Sequence, residues 1–304
     1  MTHFIVNPAS GGGLRAVPLI NAFMERTGAP YLLKYTEGPS DAKRLARESA
    51  LSGAALIVAV GGDGTVQEVL SGFMEYRERN PECAAALGIL PAGSGNDAYC
   101  SIKGGKKLNS RFEERVNDCL KSVFSGDNRV IDVIKAGGEY MLNIGSAGID
   151  AEIVKTAVRL KKVFGRFSYI AATVIKSITY KAGVMKILAD GADLNAGGGK
   201  TLLAAACNGK YYGGGFVISP AARPDDGLIT LCHIDGMPNI KVLALFPRVL
   251  RAVHVKMKEV HFINCRTVEI ELPENGLLNL DGNLFERSSV VKFEIMPGAL
   301  KVAV

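Results

Sequence analysis

Residues 54–65 read Ala-Ala-Leu-Ile-Val-Ala-Val-Gly-Gly-Asp-Gly-Thr, and this stretch decides the fold. The apolar, β-branched run 54–60 predicts a buried strand, and the glycines that follow open into a segment of helical period over 66–79. Strand, glycine turn and helix together make the repeating unit of a parallel sheet. Glycines in such a turn let backbone N–H groups approach a phosphate, and the helix N-terminus behind them favours negative charge. Asp63 repels a phosphate, so its chemical use is to hold the Mg²⁺ that accompanies a triphosphate. The same residues also make a tight strand-to-helix turn in which Asp63 is a helix cap.

Working outward, strands are expected at 3–6, 31–35 and 86–90, with helices at 14–27, 40–52 and 110–125. That alternation predicts a parallel sheet with right-handed crossovers and helices on both faces. Three Gly-rich turns, 7–13, 61–65 and 91–97, follow strands and converge on the strand C-terminal ends, where ligands of such sheets sit. Gly93, Gly95 and Ala98 match a dinucleotide-binding pattern, but in the fourth unit of the sheet and not the first, which argues against a nicotinamide cofactor. Gly199-Lys200-Thr201 ends like a P-loop, yet Leu194 stands where the first glycine is required. From about residue 131 the texture becomes β-rich, with strand-like runs at 131–147, 184–189, 201–207, 215–219, 228–233, 258–272, 277–280 and 289–303. One long helix is expected at 150–181, and 190–199 reads as an exposed hairpin loop. Two domains follow: 1–133, to which 290–304 returns, and 134–289.

The chain has 304 residues, 48% of them hydrophobic and 22% charged, enough to bury a large core and too apolar for disorder. A formal net charge of +6 is too modest for an obligate nucleic-acid binder and suits an anionic ligand or surface. Cys83, Cys100, Cys119, Cys207, Cys232 and Cys265 form no CxxC pair and read as reduced core thiols. The four histidines form no zinc-ligand spacing. With no leader-like N-terminus and no apolar run near membrane-spanning length, a cytoplasmic location is expected.

Taken in order, Asn7-Pro8-Ala9-Ser10-Gly11, Gly61-Gly62-Asp63-Gly64-Thr65, Leu90-Pro91-Ala92-Gly93-Ser94-Gly95-Asn96-Asp97, Ala147-Gly148-Ile149-Asp150-Ala151, Asp225-Asp226-Gly227-Leu228 and Asp281-Gly282 resemble the diacylglycerol-kinase catalytic domain superfamily. That superfamily includes bacterial soluble lipid kinases, sphingosine kinases and ceramide kinases. The resemblance spans nearly the whole chain and implies an α/β nucleotide-binding domain with a parallel sheet, of the NAD-kinase and diacylglycerol-kinase type, followed by a β-rich, sandwich-like lipid-substrate domain. It implies an ATP- and Mg²⁺-dependent kinase acting on a lipid hydroxyl, and a homodimer. Carried over by residue, Asn7, Pro8, Ala9, Ser10, Gly11, Thr36, Gly61, Gly62, Asp63, Gly64, Thr65, Val66, Gln67 and Ser94 would contact the nucleotide, and Asn96 and Asp97 the acceptor. Arg223, Asp226 and Leu228 would hold a structural Mg²⁺ through the Asp226 carboxylate and two main-chain oxygens, and Asp281 would be the general base. A positioned carboxylate can take the proton of an alcohol as its bond to the γ-phosphorus forms. Read without the resemblance, Asp281 is first of all a hairpin residue, since Asp-Gly-Asn is a turn signal.

Two positions depart from the family pattern: Ser94 replaces a usual Thr and keeps the hydroxyl, while Asn283 replaces a Glu and removes a carboxylate beside Asp281. Glu286 follows three residues later. The acceptor is expected to be diacylglycerol, giving phosphatidic acid. Alternatives are a sphingoid or other long-chain alcohol, an NAD kinase sharing only Gly61 to Thr65, or a nucleotide-binding regulatory protein without catalysis. A lipid acceptor requires access to a bilayer, and 151–186 carries eight basic side chains against Glu152 alone, while 241–258 carries five and no acid. Apolar residues Val163, Phe164, Phe167, Tyr169 and Ile170 are interleaved with the first set, as in a peripheral membrane segment. Either stretch also reads as an ordinary solvated helix face.

Overall fold

A computed structural model describes residues 1–105, 108, 111–272, 276–287 and 290–304. Ser110 and Ser289, expected to begin a helix and a strand, lie outside the described residues, as does the side chain of Arg166. The chain divides into two compact units, Met1–Val133 with Gly298–Val304, and Ile134–Pro297.

In the first unit strands β1 (Thr2–Val6), β2 (Tyr31–Tyr35), β3 (Leu56–Gly61) and β4 (Ala86–Pro91) alternate with helices α1 (Gly13–Thr27), α2 (Asp41–Leu51), α3 (Asp63–Arg79), α4 (Asp97–Ile102) and α5 (Phe112–Val123). The strands pair in parallel in the order β2-β1-β3-β4, and Val302 and Ala303 of the last strand continue the sheet beside β4. Residues 57–61 of β3 and all six residues of β4 are buried, as continuous apolar strands covered on both faces should be. From β1 the chain crosses one way to β2, then back over β1 to β3 and on to β4. Right-handed crossovers therefore put α1 on one face and α2 and α3 on the other. Accordingly α2 packs on α3, and α1 on α5. Gly72 permits the first contact, because a Cβ there would stand 1.9 Å from the Lys43 carbonyl oxygen. The reversal of direction lies between β1 and β3, and a crevice opens at their C-terminal ends.

The rest of the chain, most of it in the second unit, forms β5 (Asn128–Ala136), β6 (Glu139–Met141), β7 (Ile144–Gly148), α6 (Ile149–Phe164), α7 (Ser168–Thr179), β8 (Gly183–Val184), β9 (Ile187–Ala189), β10 (Ala192–Asp193), β11 (Lys200–Cys207), β12 (Tyr211–Tyr212), β13 (Phe216–Val217), β14 (Ile229–Asp235), α8 (Asn239–Leu250), β15 (Val260–Cys265), β16 (Thr267–Glu271), β17 (Gly276–Leu280), β18 (Asn283–Arg287) and β19 (Val290–Ala303). One layer runs β10-β9-β16-β19 with β5 and β6 alongside, and the other β15-β14-β11-β7-β17-β18. Strand parity builds the core. Ala204 and Ala206 of β11 join Ile229 and Leu231 of β14 and Phe293 of β19 between the layers. Leu203, Ala205 and Cys207 face the opposite way, onto Ile153 of α6 and Val242 and Leu245 of α8.

Several sequence expectations change here. The run 131–147 is three strands, and 258–272 is two strands in different layers, parting at Arg266. The helix expected at 150–181 breaks at Gly165, whose φ of +50° with ψ −123° suits glycine alone. Helix α4 had no counterpart in the sequence expectations, α8 covers the start of the basic stretch 241–258 that also read as a solvated helix face, and α3 starts at Asp63, so Gly64 and Thr65 already lie in its first turn. All six cysteines are free, with Cys83 and Cys100 only half-buried.

Candidate active site

In the first unit the three glycine turns are stitched to one another at the C-terminal ends of β1, β3 and β4. Asn7 Nδ2 donates to Thr65 Oγ1 at 2.8 Å, joining the first turn to α3. Asn7 Oδ1 accepts the Ala9 amide at 2.9 Å and its carbonyl accepts the Ser10 hydroxyl at 2.8 Å, so one side chain shapes its own turn and reaches the next. A Cβ on Gly13 would come within 2.0 Å of that carbonyl. The Gly12 amide donates to the Ala92 carbonyl at 3.0 Å, and the Ala92 amide to the Gly61 carbonyl at 2.8 Å. Gly93 and Gly62 meet backbone to backbone, since a Cβ on Gly93 would lie 2.4 Å from Gly62 Cα. The Thr36 amide donates to the Val6 carbonyl at 2.9 Å, bringing the end of β2 to the same edge.

Asn96 and Asp63 divide the labour at the start of α4. Asn96, at φ +58°, occupies the cap position, but its Oδ1 accepts the Gly93 amide and its Nδ2 donates to the Gly93 carbonyl, both at 2.9 Å. Its side chain therefore closes the turn. The first amides of α4 go instead to Asp63, whose Oδ1 accepts from Ala98 at 3.0 Å. Desolvation pushes the Asp63 carboxyl above the usual range, opposed by the main-chain amides of Ala98, Asn96 and Asp97. Asp97 is itself buried. Burial, then the Asp97 and Asp63 carboxylates, push the neighbouring Cys100 thiol up to about 11, which keeps it protonated and poorly nucleophilic.

Pro8 and Gly64 are half-buried, and Ala9, Gly11 and Ser94 are exposed on the rim of these turns. Val66 and Gln67 are buried along α3, and Gln67 Nε2 donates to Ser71 Oγ at 3.0 Å, so these two side chains face the interior.

In the second unit Asp281, at φ +47°, follows β17. Its Oδ2 accepts the Leu142 amide and its Oδ1 the Ile144 amide, each at 2.8 Å, with the Asn143 amide shared between them at 3.3 and 3.2 Å. A carboxylate offers about four lone-pair sites, and these contacts, with the Asn143 amide shared, put two on each oxygen. Asp150, fully buried at the start of α6, accepts from Ser146 Oγ, from Asn279 Nδ2 at 2.8 Å and from Tyr169 Oη at 3.2 Å. Desolvation raises the Asp150 carboxyl against those three donors. Ser146, Asn143 and Asn279 had no signal in the sequence reading beyond being polar residues inside strand-like runs.

The 223–228 loop presents Asp226 on an exposed turn, where its Oδ1 accepts the Leu228 amide at 3.1 Å, and Arg223 Nε and Nη2 both reach Asp225 Oδ1 at 3.3 Å. One exposed carboxylate is within the one or two that a largely hydrated Mg²⁺ takes from a protein. Among the described residues no group of three or more His, Cys, Asp or Glu could hold a metal. No helix among them is long and apolar enough to cross a membrane.

Comparison with known proteins agrees with this architecture. Residues 1–136 match the diacylglycerol kinase catalytic domain, and residues 143–304 the YegS C-terminal NAD kinase beta sandwich-like domain. A "Probable lipid kinase YegS-like" protein of Chromohalobacter salexigens is 30% identical over 281 residues, covering 92% of this chain and 86% of that one. One of the same description from Pectobacterium atrosepticum is 27% identical over 304 residues, covering 99% and 94%. A solved diacylglycerol kinase from Bacillus anthracis strain Sterne shares the fold at TM-score 0.69 and 20% identity, covering 99% of this chain and 96% of that one. Another solved chain from that strain reaches 0.78 at 22% identity, covering 99% and 94%. With both of its units matched by family models and a relative at 30% identity over most of both lengths, the chain belongs to the YegS-like lipid kinase family.

Proposed function

We propose that this protein transfers the γ-phosphoryl group of ATP to the hydroxyl of diacylglycerol, giving phosphatidic acid and ADP. The observation that carries the reading is the stitching of three glycine turns at the switch point of the first unit. It converges backbone amides and a helix N-terminus on one crevice suited to a polyphosphate. There Asn7, Pro8, Ala9, Ser10 and Gly11, with Thr36, Gly61 to Thr65 and Ser94, cradle the nucleotide. Val66 and Gln67 stand behind this cradle, because their side chains face the core and the Val66 amide donates to the Gly62 carbonyl at 3.0 Å.

Phosphoryl transfer asks the protein for positioning and charge stabilisation more than for covalent chemistry. Asp281 orients the acceptor hydroxyl and takes its proton as the oxygen bonds to the γ-phosphorus and the bond to the β-phosphate oxygen breaks. The amides of Leu142, Asn143 and Ile144 hold that carboxylate in one orientation. When bound, Mg²⁺ supplies neutralisation of the triphosphate. Asp63 and Asp97 lie at the turn where such an ion is needed, and Asp226 with the Arg223 and Leu228 carbonyls suits a second, structural ion. The names carried by the relatives, lipid kinase and diacylglycerol kinase, support the acceptor class.

The test is transfer of label from ATP with Mg²⁺ to diacylglycerol, sphingosine, ceramide and NAD offered separately, the lipids in mixed micelles, with Asp281→Asn alongside. Labelled phosphatidic acid from the wild type and its loss in the variant are expected. Label on sphingosine, ceramide or NAD instead moves the acceptor. A second reading, nucleotide binding without catalysis, draws on the three amides that Asp281 already accepts and on Asn283 beside it. ATP binding with no transfer to any acceptor, unchanged by Asp281→Asn, would favour that reading.

A further inference from the structure

Ser40 occupies the cap position of α2 without capping it. Its side chain makes no hydrogen bond to the first turn, and its φ of +64° with ψ −1° is left-handed where a serine cap is normally extended. An exposed residue other than glycine keeps such a backbone only where its surroundings impose it. Here the main-chain amide of Ser40 donates to Glu68 Oε1 on α3 at 3.0 Å, from a residue 28 positions further along the chain.

Glu68 follows Thr65 by three residues, so the two share one side of α3. That side reaches two segments: Thr65 accepts from Asn7 of the first glycine turn at 2.8 Å, and Glu68 takes the end of the connection between β2 and α2. The connection begins at Thr36, whose amide is fixed by the Val6 carbonyl at 2.9 Å. The Glu37 amide then donates to Asp41 Oδ2 at 2.9 Å, and Arg44 pairs with Asp41 at 2.6 Å. Both helices are themselves fixed, because Gly72 lies against the Lys43 carbonyl and Lys43 Nζ pairs with Glu75 at 2.7 Å.

Resting on the nucleotide reading of the first unit, we propose that Glu68 is a positioning residue for ATP. By holding Ser40 in the left-handed conformation it fixes the connection that carries Thr36 beside the glycine turns. Glu68 acts on the nucleotide through Ser40 and this connection. The connection borders the crevice on its β2 side, whereas Asp281 belongs to the second unit. Losing the link therefore weakens nucleotide binding and leaves the chemical step alone.

The experiment compares the full chain as wild type, Glu68→Gln, Glu68→Leu and the double variant Ser40→Gly/Glu68→Leu. Calorimetry reads ATP affinity with Mg²⁺, and steady-state transfer to diacylglycerol in mixed micelles reads KM for ATP and kcat. Hydrogen exchange reads protection of the residue-40 amide, and thermal midpoints are checked for each. Glu68→Leu should release that amide and weaken ATP binding about tenfold, the usual worth of a hydrogen bond to a charged group, with KM raised and kcat unchanged. Glu68→Gln keeps an oxygen for the amide and should bind ATP within about threefold of wild type. Glycine adopts the left-handed region freely, so the double variant should recover part of the affinity, which a general loss of stability would not allow. Glu68→Leu that binds ATP like wild type overturns the proposal. So does a loss shared equally by Glu68→Gln, which would make the charge itself, and not the bond to Ser40, the working part. Wild type that binds no ATP, while the Ser40 amide is protected in Glu68→Gln and released in Glu68→Leu, overturns the nucleotide reading and leaves the link between Glu68 and Ser40 standing.

Discussion

Asn279 is held between two partners: its Nδ2 donates to the buried Asp150 carboxylate at 2.8 Å, and its Oδ1 accepts the Gly282 amide at 3.0 Å. The start of α6 is thereby tied to the turn that carries Asp281. Neither bond is made to the Asp281 carboxylate itself.

Asn279→Leu keeps the volume and removes both bonds, leaving a buried carboxylate short of a donor. A loss of about 2 kcal/mol in urea unfolding is expected. The double variant Asp150→Leu/Asn279→Leu should recover part of it, because no buried charge is then left unpaired. If the pair holds the turn, kcat falls while KM for ATP stays, since the glycine turns lie in the other unit. An unchanged kcat in the folded fraction would mean the pair serves stability alone.

Gly93→Ala drives a Cβ to 2.4 Å from Gly62 Cα and must part the second and third turns. ATP binding, read by calorimetry, should weaken by more than tenfold, an ångström-scale misplacement being enough for such a loss. Gly38→Ala, with nothing within 4 Å of the new Cβ, is the control and should bind ATP like wild type. Equal affinities for the two variants would remove the stitched turns from the nucleotide site.

The parallel half of the fold was legible because its strands are continuous β-branched runs, each followed by glycines. The second unit was less so. Strands β15 and β16 are contiguous apolar sequence, and only pairing with β14 on one side and β19 on the other separates them. Helix α8 carries Pro247 within it on an exposed position, where the missing amide and the ring are tolerated at the surface. The amides that hold Asp281 come from 137 to 139 residues away, a closure no local pattern announces.

His254 gives the pH dependence. It is buried with Nε2 at 2.9 Å from the Ile218 carbonyl, and desolvation lowers its pKa below the ordinary histidine value of 6.5 in spite of that bond. A base whose folded pKa is depressed binds its proton in the unfolded chain first, so stability is full above 6.5 and falls as the pH drops through that value. His233, also lowered by desolvation, adds to the same slope. His254→Gln can still donate to Ile218 and does not titrate. Its urea midpoint should therefore fall less than that of the wild type between neutral pH and mildly acidic pH, and parallel slopes would assign the loss elsewhere.

Asp63 lends itself to a division of roles by substitution. Its carboxylate accepts the Ala98 amide at 3.0 Å because Asn96, in the cap position of α4, has given its side chain to Gly93. Asp63→Ala removes that acceptor and should cost about 1 kcal/mol, the usual loss of a helix cap. Asp63→Asn retains an oxygen for the amide and deletes only the charge, so its stability should stay near wild type. If the carboxylate also faces the metal-triphosphate, Asp63→Asn loses phosphoryl transfer by a hundredfold or more, with a raised Mg²⁺ requirement. Transfer at the wild-type rate in Asp63→Asn, alongside a destabilised Asp63→Ala, would make Asp63 the cap of α4 and move the metal to Asp97.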